Sequence, residues 1–224
     1  MSTLVTSGRD ASTHRRILLA TIDCILDRGF YRASSNEIAR RAGMTWGAIQ
    51  YYFGTREKLM LAALEVFNAE FEATLDTALD TALDAALDAA RESGTPPDAS
   101  TADRLERIAA LLAGQYGRAQ YLASLQIILN LAHNPQTSTE TAEAMERFEQ
   151  TLSAKLTGLI ADAIGPTAGK ATISLVFHAF RGLATSHLID AETSPHRVAD
   201  EARAERLHDD AHELARALAA LIDG

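Results

Sequence analysis

The chain has 224 residues, of which 47% are hydrophobic and 23% are charged, and its formal net charge is −9. This apolar content is sufficient for a packed core and excludes a disordered chain. Cys24 is the single cysteine, which excludes an internal disulfide. We find neither a signal-like leader nor an apolar run of about 18 residues, and therefore expect a soluble, cytoplasmic protein.

Charge is distributed unevenly along the chain. Residues 1–60 contain nine Arg or Lys against five Asp or Glu, a net charge of +4, whereas the remaining 164 residues carry −13. A basic surface attracts a polyanion, and an acidic one is repelled by it. The first sixty residues are therefore the part of the chain suited to bind nucleic acid.

Residues 1–12 are polar and predict a mobile arm, followed by a helix over 13–28 that Gly29 ends. Arg15 and Arg16 lie off the apolar stripe, free for solvent or phosphate. Cys24 lies within the stripe, which favours a core thiol over a redox sensor. The stripe consists of Leu18, Ile22 and Ile25.

The next segment predicts two short helices joined by a tight turn. Ser34 and Glu37 have the spacing of a capping box, in which each side chain bonds the other residue's amide. Gly43 can turn the chain at positive φ, and Thr45 can cap a second helix that ends at Phe53. Helix, glycine turn and helix in this order form the helix-turn-helix motif.

The second of these helices has an unusual outer surface. Ile49 and Phe53 are four residues apart and predict its buried side, which leaves large polar and aromatic side chains on the other faces. Gln50 has the paired donor and acceptor that read adenine in the major groove. Gly47 and Ala48 would let the backbone approach the bases. The alternative is that the aromatic residues belong only to the core. The outward set is Trp46, Gln50, Tyr51 and Tyr52.

Residues 13–60 resemble the DNA-binding domain of the tetracycline-repressor (TetR) family of transcriptional regulators. The matching residues are Arg16-Ile17-Leu18, Ala20, Gly29-Phe30, Ser35, Glu37-Ile38-Ala39, Ala42-Gly43, Gly47-Ala48-Ile49, Tyr51-Tyr52-Phe53 and Lys58-Leu59. Gln50 departs from the family pattern, where an aromatic residue is common, and Arg56 replaces the usual lysine. Arg56 keeps the charge needed for a bidentate phosphate contact. The DNA-contacting residues that the resemblance implies are Ser35, Asn36, Thr45, Trp46, Gly47, Ala48, Gln50, Tyr51, Tyr52, Arg56 and Lys58.

A long fourth helix is predicted from Arg56, capped by Thr55, to about Ala90. It continues from the helix-turn-helix domain, placed at 1–58, into a second domain at 59–224, and its position makes it a candidate lever between them. A Leu-Asp pair recurs every four residues along its second half. The aspartates favour a solvated acidic face over a cation site. They are Asp76, Asp80, Asp84 and Asp88.

Five further helices are predicted, and all five prolines lie at or near their boundaries. The helices cover residues 101–117, 119–133, 138–164, 168–191 and 197–222. No alternating strand pattern is present. The predicted fold is all-α, with an N-terminal three-helix helix-turn-helix domain joined by the long fourth helix to a C-terminal helical domain that binds a ligand and dimerises.

The last two predicted helices carry heptad-like apolar seams. Members of the TetR family pair their last two helices with those of a second copy, so the resemblance implies a homodimer. Two reading helices about 34–36 Å apart then fit a near-palindromic operator. Packing within one chain is the alternative. The predicted interface residues are Phe177, Phe180, Ala184, His187, Leu207, Ala211, Leu214 and Leu218.

The resemblance also implies an unidentified small-molecule effector, bound among the central helices, which releases a repressor from DNA. An apolar cavity with a few polar groups suits such a ligand. No cofactor is expected. The polar and aromatic candidates for this pocket are Tyr116, Tyr121, Gln126, Asn130, His133, His178 and Arg181.

The main alternative is a helical-bundle metal protein or enzyme. Glu205 and His208 have the Glu-x-x-His spacing of carboxylate-bridged iron sites, and Asp209 with His212 repeats it with a shorter acid. Both pairs lie on one helix, whereas such a site needs them on separate helices, so surface ion pairing is favoured. The sequence contains no phosphate-binding glycine loop, nucleophile motif or zinc pattern. We therefore expect a regulator and not an enzyme; a pure protein adaptor leaves the basic, aromatic first domain unexplained.

Overall fold

The computed structural model describes residues 8–93, 100–165, 169–193 and 200–223. Within these ranges every regular element is an α-helix, which confirms the predicted all-α fold class. None of these helices is long and apolar enough to cross a membrane. The helices are α1 Gly8–Arg28, α2 Ser35–Arg41, α3 Trp46–Phe53, α4 Arg56–Ser93, α5 Thr101–Tyr116, α6 Ala119–Ala132, α7 Thr139–Ile164, α8 Lys170–Thr193 and α9 Asp200–Asp223.

Helix α1 begins earlier than predicted. It includes Gly8 to Ser12, which the sequence had assigned to the arm, and Asp10 in its first turn complements the positive end of the helix dipole. Residues 1–7 of the predicted arm lie outside the described part of the chain, as do the side chains of Asp80, Asp84 and Asp88. Asp76 is exposed and forms an ion pair with Lys155 of α7, with the Nζ and Oδ1 atoms 2.9 Å apart.

The cap of α2 is half of the predicted capping box. Ser34 Oγ accepts the Glu37 amide at 3.3 Å, but the Ser34 amide donates to the Arg32 carbonyl at 2.8 Å. The Glu37 carboxylate instead accepts two hydrogen bonds from Arg40 and one from Arg41. Two guanidinium groups on the same short helix therefore replace the cap amide as the partners of this carboxylate.

The turn between α2 and α3 follows the sequence prediction. Gly43 has φ of 64°, the left-handed region that glycine enters without steric cost, and the Met44 amide donates to the Ala39 carbonyl at 2.9 Å. Thr45 Oγ1 then accepts the Ala48 amide at 3.2 Å and begins α3. The helix-turn-helix motif is thus fixed by local hydrogen bonds.

Two compact units make up the chain. The first extends to Glu70 and also includes Ala119–Glu149, and the second comprises Phe71–Arg118 with Gln150–Gly224. Helices α4 and α7 each contribute to both units. This division differs from the boundary between residues 58 and 59, which follows the motif alone, because α6 joins the first unit.

The core of the first unit is formed mainly by α1 to α4 and α6. Its aliphatic side chains are almost completely removed from water, and burial of each isoleucine or leucine contributes about 1.5–3 kcal/mol. Helix α1 packs on both α2 and α6. The core includes Ile17, Ile25, Ile38, Ile49, Leu59, Ala123, Ile127 and Leu131, all with exposed fractions of 4% or less.

In the second unit, α5 packs on α8 and α9, and α8 also packs on α9. The predicted seams on α8 and α9 face these neighbours in the same chain. Phe177, His187 and Leu214 are half-buried. The other five predicted interface residues are buried in the single chain: Phe180, Ala184, Leu207, Ala211 and Leu218.

The apolar side chains of a heptad seam pack against whichever helix faces them. Here they pack against α5 and in the contact between α8 and α9. A different set of apolar side chains on α8 and α9 is left in solvent. They are Leu175, Ile189 and Leu221, with exposed fractions of 60%, 53% and 78%. The expectation of a dimer through α8 and α9 stays a prediction.

Candidate nucleic-acid interface

Helix α3 has one face anchored in the core and another in solvent. Ile49 and Phe53 are buried, with exposed fractions of 0% and 7%, and the His14 ring of α1 lies 4.5 Å from the Phe53 ring. Gln50 is exposed, and Tyr51 has 86% of its surface in solvent. The buried face therefore fixes the helix in an orientation in which the hydrogen-bonding groups of Gln50 and Tyr51 extend into solvent.

The first turn of α3 offers its backbone. Gly47 is exposed, and a Cβ atom placed there would meet only Thr45 Oγ1, at 4.0 Å. Thr45 is exposed and Ala48 is half-buried. The Ala48 amide already donates to Thr45 Oγ1, whereas Gly47 has no side chain to separate its backbone from an approaching base edge.

The aromatic residues of α3 divide between the two interpretations made from the sequence. Trp46 and Tyr52 are half-buried and pack against the core, whereas Tyr51 lies outside it. The Tyr52 hydroxyl donates to Asp10 Oδ1 of α1 at 3.5 Å, a long bond, and its ring meets Tyr51 edge to face at 5.5 Å. Tyr52 thus links α3 to the start of α1, and Tyr51 is the aromatic side chain most available to a partner.

The N-terminal turn of α2, the helix that packs on α3, also contains predicted DNA contacts. Asn36 is exposed and Ser35 is half-buried, as suits contacts to phosphate oxygens from a helix N-terminus. Along α1, Arg15 and Arg16 are exposed. They line a groove of about 550 Å³ together with Ser12, Leu19, Ala20, Asp23 and Arg41.

Arg56 requires a correction. Its Nη2 atom donates to the Phe30 carbonyl at 2.7 Å and the Ala33 carbonyl at 3.3 Å, and its guanidinium lies 4.5 Å from the centre of the Phe30 ring. Burial lowers the pKa of this guanidinium from its usual value. The side chain therefore turns toward the protein and holds the loop between α1 and α2, instead of extending toward phosphate as the sequence suggested.

Lys58 is exposed, and its Nζ atom lies 2.9 Å from Glu140 Oε2 near the start of α7. The neighbouring Glu57 accepts hydrogen bonds from the amide and hydroxyl of Ser138, at 3.0 and 2.6 Å. These hydrogen bonds lower the pKa of Glu57, with the Ser138 hydroxyl as the main cause. These contacts hold the start of α4 against α7 inside the first unit. To reach a phosphate, Lys58 has to break its ion pair with Glu140, which is exposed and contributes little energy.

The predicted pocket residues belong to both units, and their role as a ligand site stays a prediction. Tyr121 is buried beside Phe67 in the first unit, and Tyr116 is buried beside Phe71 in the second. Each of the remaining candidates has a partner within its own unit. Gln126 Oε1 accepts the Phe30 amide, Asn130 Nδ2 donates to the Gln126 carbonyl, His133 bonds the Leu129 carbonyl, His178 bonds Ser174, and Arg181 lies over the Phe177 ring.

The two histidines of α9 contact each other, and one of them also contacts a glutamate of α5. His208 and His212 have ring centres 4.4 Å apart, and His212 Nδ1 lies 3.4 Å from Glu106 Oε2 of α5. Glu205 is exposed. Among the side chains that the structure describes, no group of three or more His, Cys, Asp or Glu residues is arranged to hold a metal ion.

Glu37 provides a pH-dependent contribution to the stability of α2. Hydrogen bonds from Arg40 and then Arg41 lower its pKa from 4.5 to about 2. A carboxylate with a depressed folded-state pKa stabilises the fold above its unfolded pKa and loses that effect as pH falls through the folded value. We expect the melting temperature of the wild type to fall more than that of Glu37→Gln as the pH is lowered from about 4.5 to 2. Parallel melting curves across this range would contradict the assignment.

Comparison with known proteins supports the helix-turn-helix domain described above. Residues 17–63 match the family model described as bacterial regulatory proteins of the tetR family. The chain is 38% identical over 52 residues to the HTH-type transcriptional regulator PksA of Bacillus subtilis, and this stretch covers 23% of the chain and 25% of PksA. The sequence match is thus confined to a quarter of that relative and to the helix-turn-helix domain.

The fold extends the likeness over most of the chain. It resembles the transcriptional regulator FadR from Bacillus subtilis in complex with stearoyl-CoA, with a TM-score of 0.58, 14% identity, and coverage of 90% of this chain and 97% of FadR. A TetR-family member from Streptomyces coelicolor gives a TM-score of 0.56, 20% identity, and coverage of 88% and 96%. Residues 17–63 thus carry the helix-turn-helix sequence of the tetR family of bacterial regulatory proteins, and most of the chain shares the all-α fold of these solved regulators.

Proposed function

We propose that the chain is a TetR-family regulator, which works in the cytoplasm as a homodimeric repressor and leaves its operator when a small molecule binds the second unit. The observation that carries the DNA-reading part is the division of α3. Ile49 and Phe53 fix the helix in the core, while Gln50 and Tyr51 extend into solvent. A helix held in this way presents the same side chains in every encounter, as major-groove reading requires.

Each exposed group has a separate task on DNA. The Gln50 amide donates to and accepts from one base, which gives sequence preference. Tyr51, the first turn of α2, and the arginines of α1 contact phosphates, which gives affinity without sequence information. Arg15 and Arg16 supply two charges within the basic first sixty residues. The interface therefore extends from α3 onto α1.

A dimer gives the interface its spacing. The exposed stripe formed by Leu175, Ile189 and Leu221 is the surface that we assign to the second copy. Leu175 and Ile189 are two heptads apart on α8, so they follow one side of the helix. Association through this stripe would place two copies of α3 on a near-palindromic operator.

The effector site is assigned to the helices of the second unit. Gln115 is buried there, and its Nε2 atom donates at 2.9 Å to Oγ1 of the half-buried Thr74, so a polar pair joins α5 to α4. A ligand that separates α4 from α5 would meet this pair. FadR, which has a similar fold, is described with stearoyl-CoA. Long-chain acyl-CoA is therefore the first class of effector to test for release of DNA.

The proposal is tested most simply by two substitutions on the same surface. In Gln50→Ala, discrimination against the wrong base at one operator position should fall by about 1–3 kcal/mol, because the bidentate contact is lost. In Arg15→Gln, binding to all duplexes should weaken equally, and the slope of log affinity against log salt should decrease by about one. Both are measured by fluorescence anisotropy on operator and scrambled duplexes.

The two variants are controls for each other. An unchanged base preference in Gln50→Ala would remove that residue from base reading. Weaker binding of Arg15→Gln to the operator alone, with an unchanged salt slope, would remove Arg15 from the phosphate contacts. Either result leaves the other assignment standing.

A further inference from the structure

The loop between α1 and α2 is held by side chains from outside the helix-turn-helix motif. Gly29 has φ of 76° and turns the chain, and the amide of the next residue, Phe30, donates to Gln126 Oε1 of α6 at 2.9 Å. The two residues are 96 positions apart. This amide would otherwise be an unpaired donor on a largely buried residue, which costs about 1–3 kcal/mol.

The carbonyl side of the same residue is held from α4. Arg56 Nη2 donates to the Phe30 carbonyl at 2.7 Å and to the Ala33 carbonyl at 3.3 Å. Both backbone polar groups of Phe30 are thus bonded to side chains of later helices. We call Gln126 and Arg56 the corner clamp.

Gln126 is kept in place by its own helix. Ala123 and Ile127 on either side of it are buried in the core of the first unit, with exposed fractions of 1%. Leu131, one turn further, is buried at 4%. These contacts fix α6 against α1. The side-chain oxygen of Gln126 therefore has a defined position, and it fixes the Phe30 amide by accepting its hydrogen bond.

The loop held by the corner clamp is followed directly in sequence by α2, the first helix of the helix-turn-helix motif. Ser34 caps α2 only four residues after Phe30, and α2 is seven residues long. A helix of two turns has little stability of its own, so its placement depends on how its ends are held. Helix α2 in turn packs on α3, which carries Gln50 and Tyr51.

We propose that Gln126 is a positioning residue for DNA binding, whose side-chain carbonyl fixes the α1–α2 loop and thereby the angle at which α2 and α3 meet the operator. This inference rests on the proposed DNA-reading function. It also assigns Gln126 a different role from the ligand contact predicted from the sequence, because its carbonyl oxygen is already bonded to the Phe30 amide.

The test compares three variants of the full chain. Gln126→Met keeps the length of the side chain and removes the acceptor, Gln126→Glu keeps an acceptor oxygen, and Gln120→Met removes a half-buried glutamine six residues earlier on the same helix. The duplex that the wild type selects from a random pool serves as the operator, and it and a scrambled duplex are titrated at a temperature where each variant is folded. Amide hydrogen exchange at Phe30 is measured by NMR on the same samples.

We expect Gln126→Met to lose protection at the Phe30 amide and to bind the operator about five- to tenfold more weakly, with unchanged binding to scrambled duplex. Gln126→Glu should restore most of the operator affinity, and Gln120→Met should resemble the wild type.

Loss of Phe30 protection without a change in the operator-to-scrambled ratio would overturn the positioning role. Failure of Gln126→Glu to restore affinity would also overturn it, since the acceptor would not be the property that matters. If the wild type binds no duplex selectively, the proposed function fails, whereas unchanged Phe30 exchange in Gln126→Met identifies failure of the clamp alone.

Discussion

Arg56→Ala is expected to destabilise the first unit by about 2–4 kcal/mol and to abolish operator binding. The substitution leaves the carbonyls of Phe30 and Ala33 without their charged donor and removes the guanidinium that covers the Phe30 ring. Hydrogen bonds to charged groups contribute about 1.5–3 kcal/mol each, and a carbonyl left unpaired next to the core adds a desolvation cost. Urea unfolding monitored by circular dichroism measures the loss.

The matched control is Lys58→Ala, two residues along the same helix. Lys58 is exposed and its ion pair with Glu140 is a surface contact, so the expected change in stability is within about 0–1 kcal/mol. This variant should instead reduce the salt dependence of DNA binding. If Arg56→Ala unfolds like the wild type and only loses salt dependence, Arg56 is a phosphate contact and the clamp is wrong.

Gly117→Ala is expected to destabilise the second unit, although the change adds a single methyl group. A Cβ atom at Gly117 would lie 2.7 Å from the Ala113 carbonyl oxygen and 2.8 Å from Leu207 Cδ2 of α9. The leucine can adjust, but the backbone oxygen cannot move without distorting the end of α5. Overpacking of this kind typically costs about 1–3 kcal/mol.

Gly114→Ala, one turn earlier on α5, should have the opposite sign. Gly114 is exposed, and nothing lies within 4 Å of an added Cβ atom. Glycine inside a helix is destabilising by about 0.5–1 kcal/mol relative to alanine, so this variant should gain stability of that size. Equal effects of the two substitutions in thermal or urea unfolding would contradict the close approach of α5 and α9.

The sequence predicted the helices well because their signals are local. Caps such as Thr45, glycine turns such as Gly43, and the spacing of Ile49 and Phe53 operate within one or two turns, and all three behave as expected. The helix-turn-helix motif and the exposed position of Gln50 could therefore be derived before any coordinates.

Long-range partners were not predictable in the same way. Arg56 and Lys58 have the same charge and neighbouring positions, yet one turns to the Phe30 carbonyl and the other to solvent and Glu140. Nothing in the local sequence records that Gln126 meets a backbone amide 96 residues away. Much of the apolar seam on α8 and α9 is buried in the single chain, and periodicity alone does not reveal whether a seam faces its own chain or a partner.

The most direct test of the account is selection of bound sequences from a random duplex pool with the purified protein, followed by a salt titration of the recovered duplex. We predict a near-palindrome whose two half-sites are separated by about one helical turn and whose affinity falls steeply with salt. Recovery of a single half-site would contradict the dimeric arrangement. Recovery of no sequence above background would contradict the central claim that α3 reads DNA.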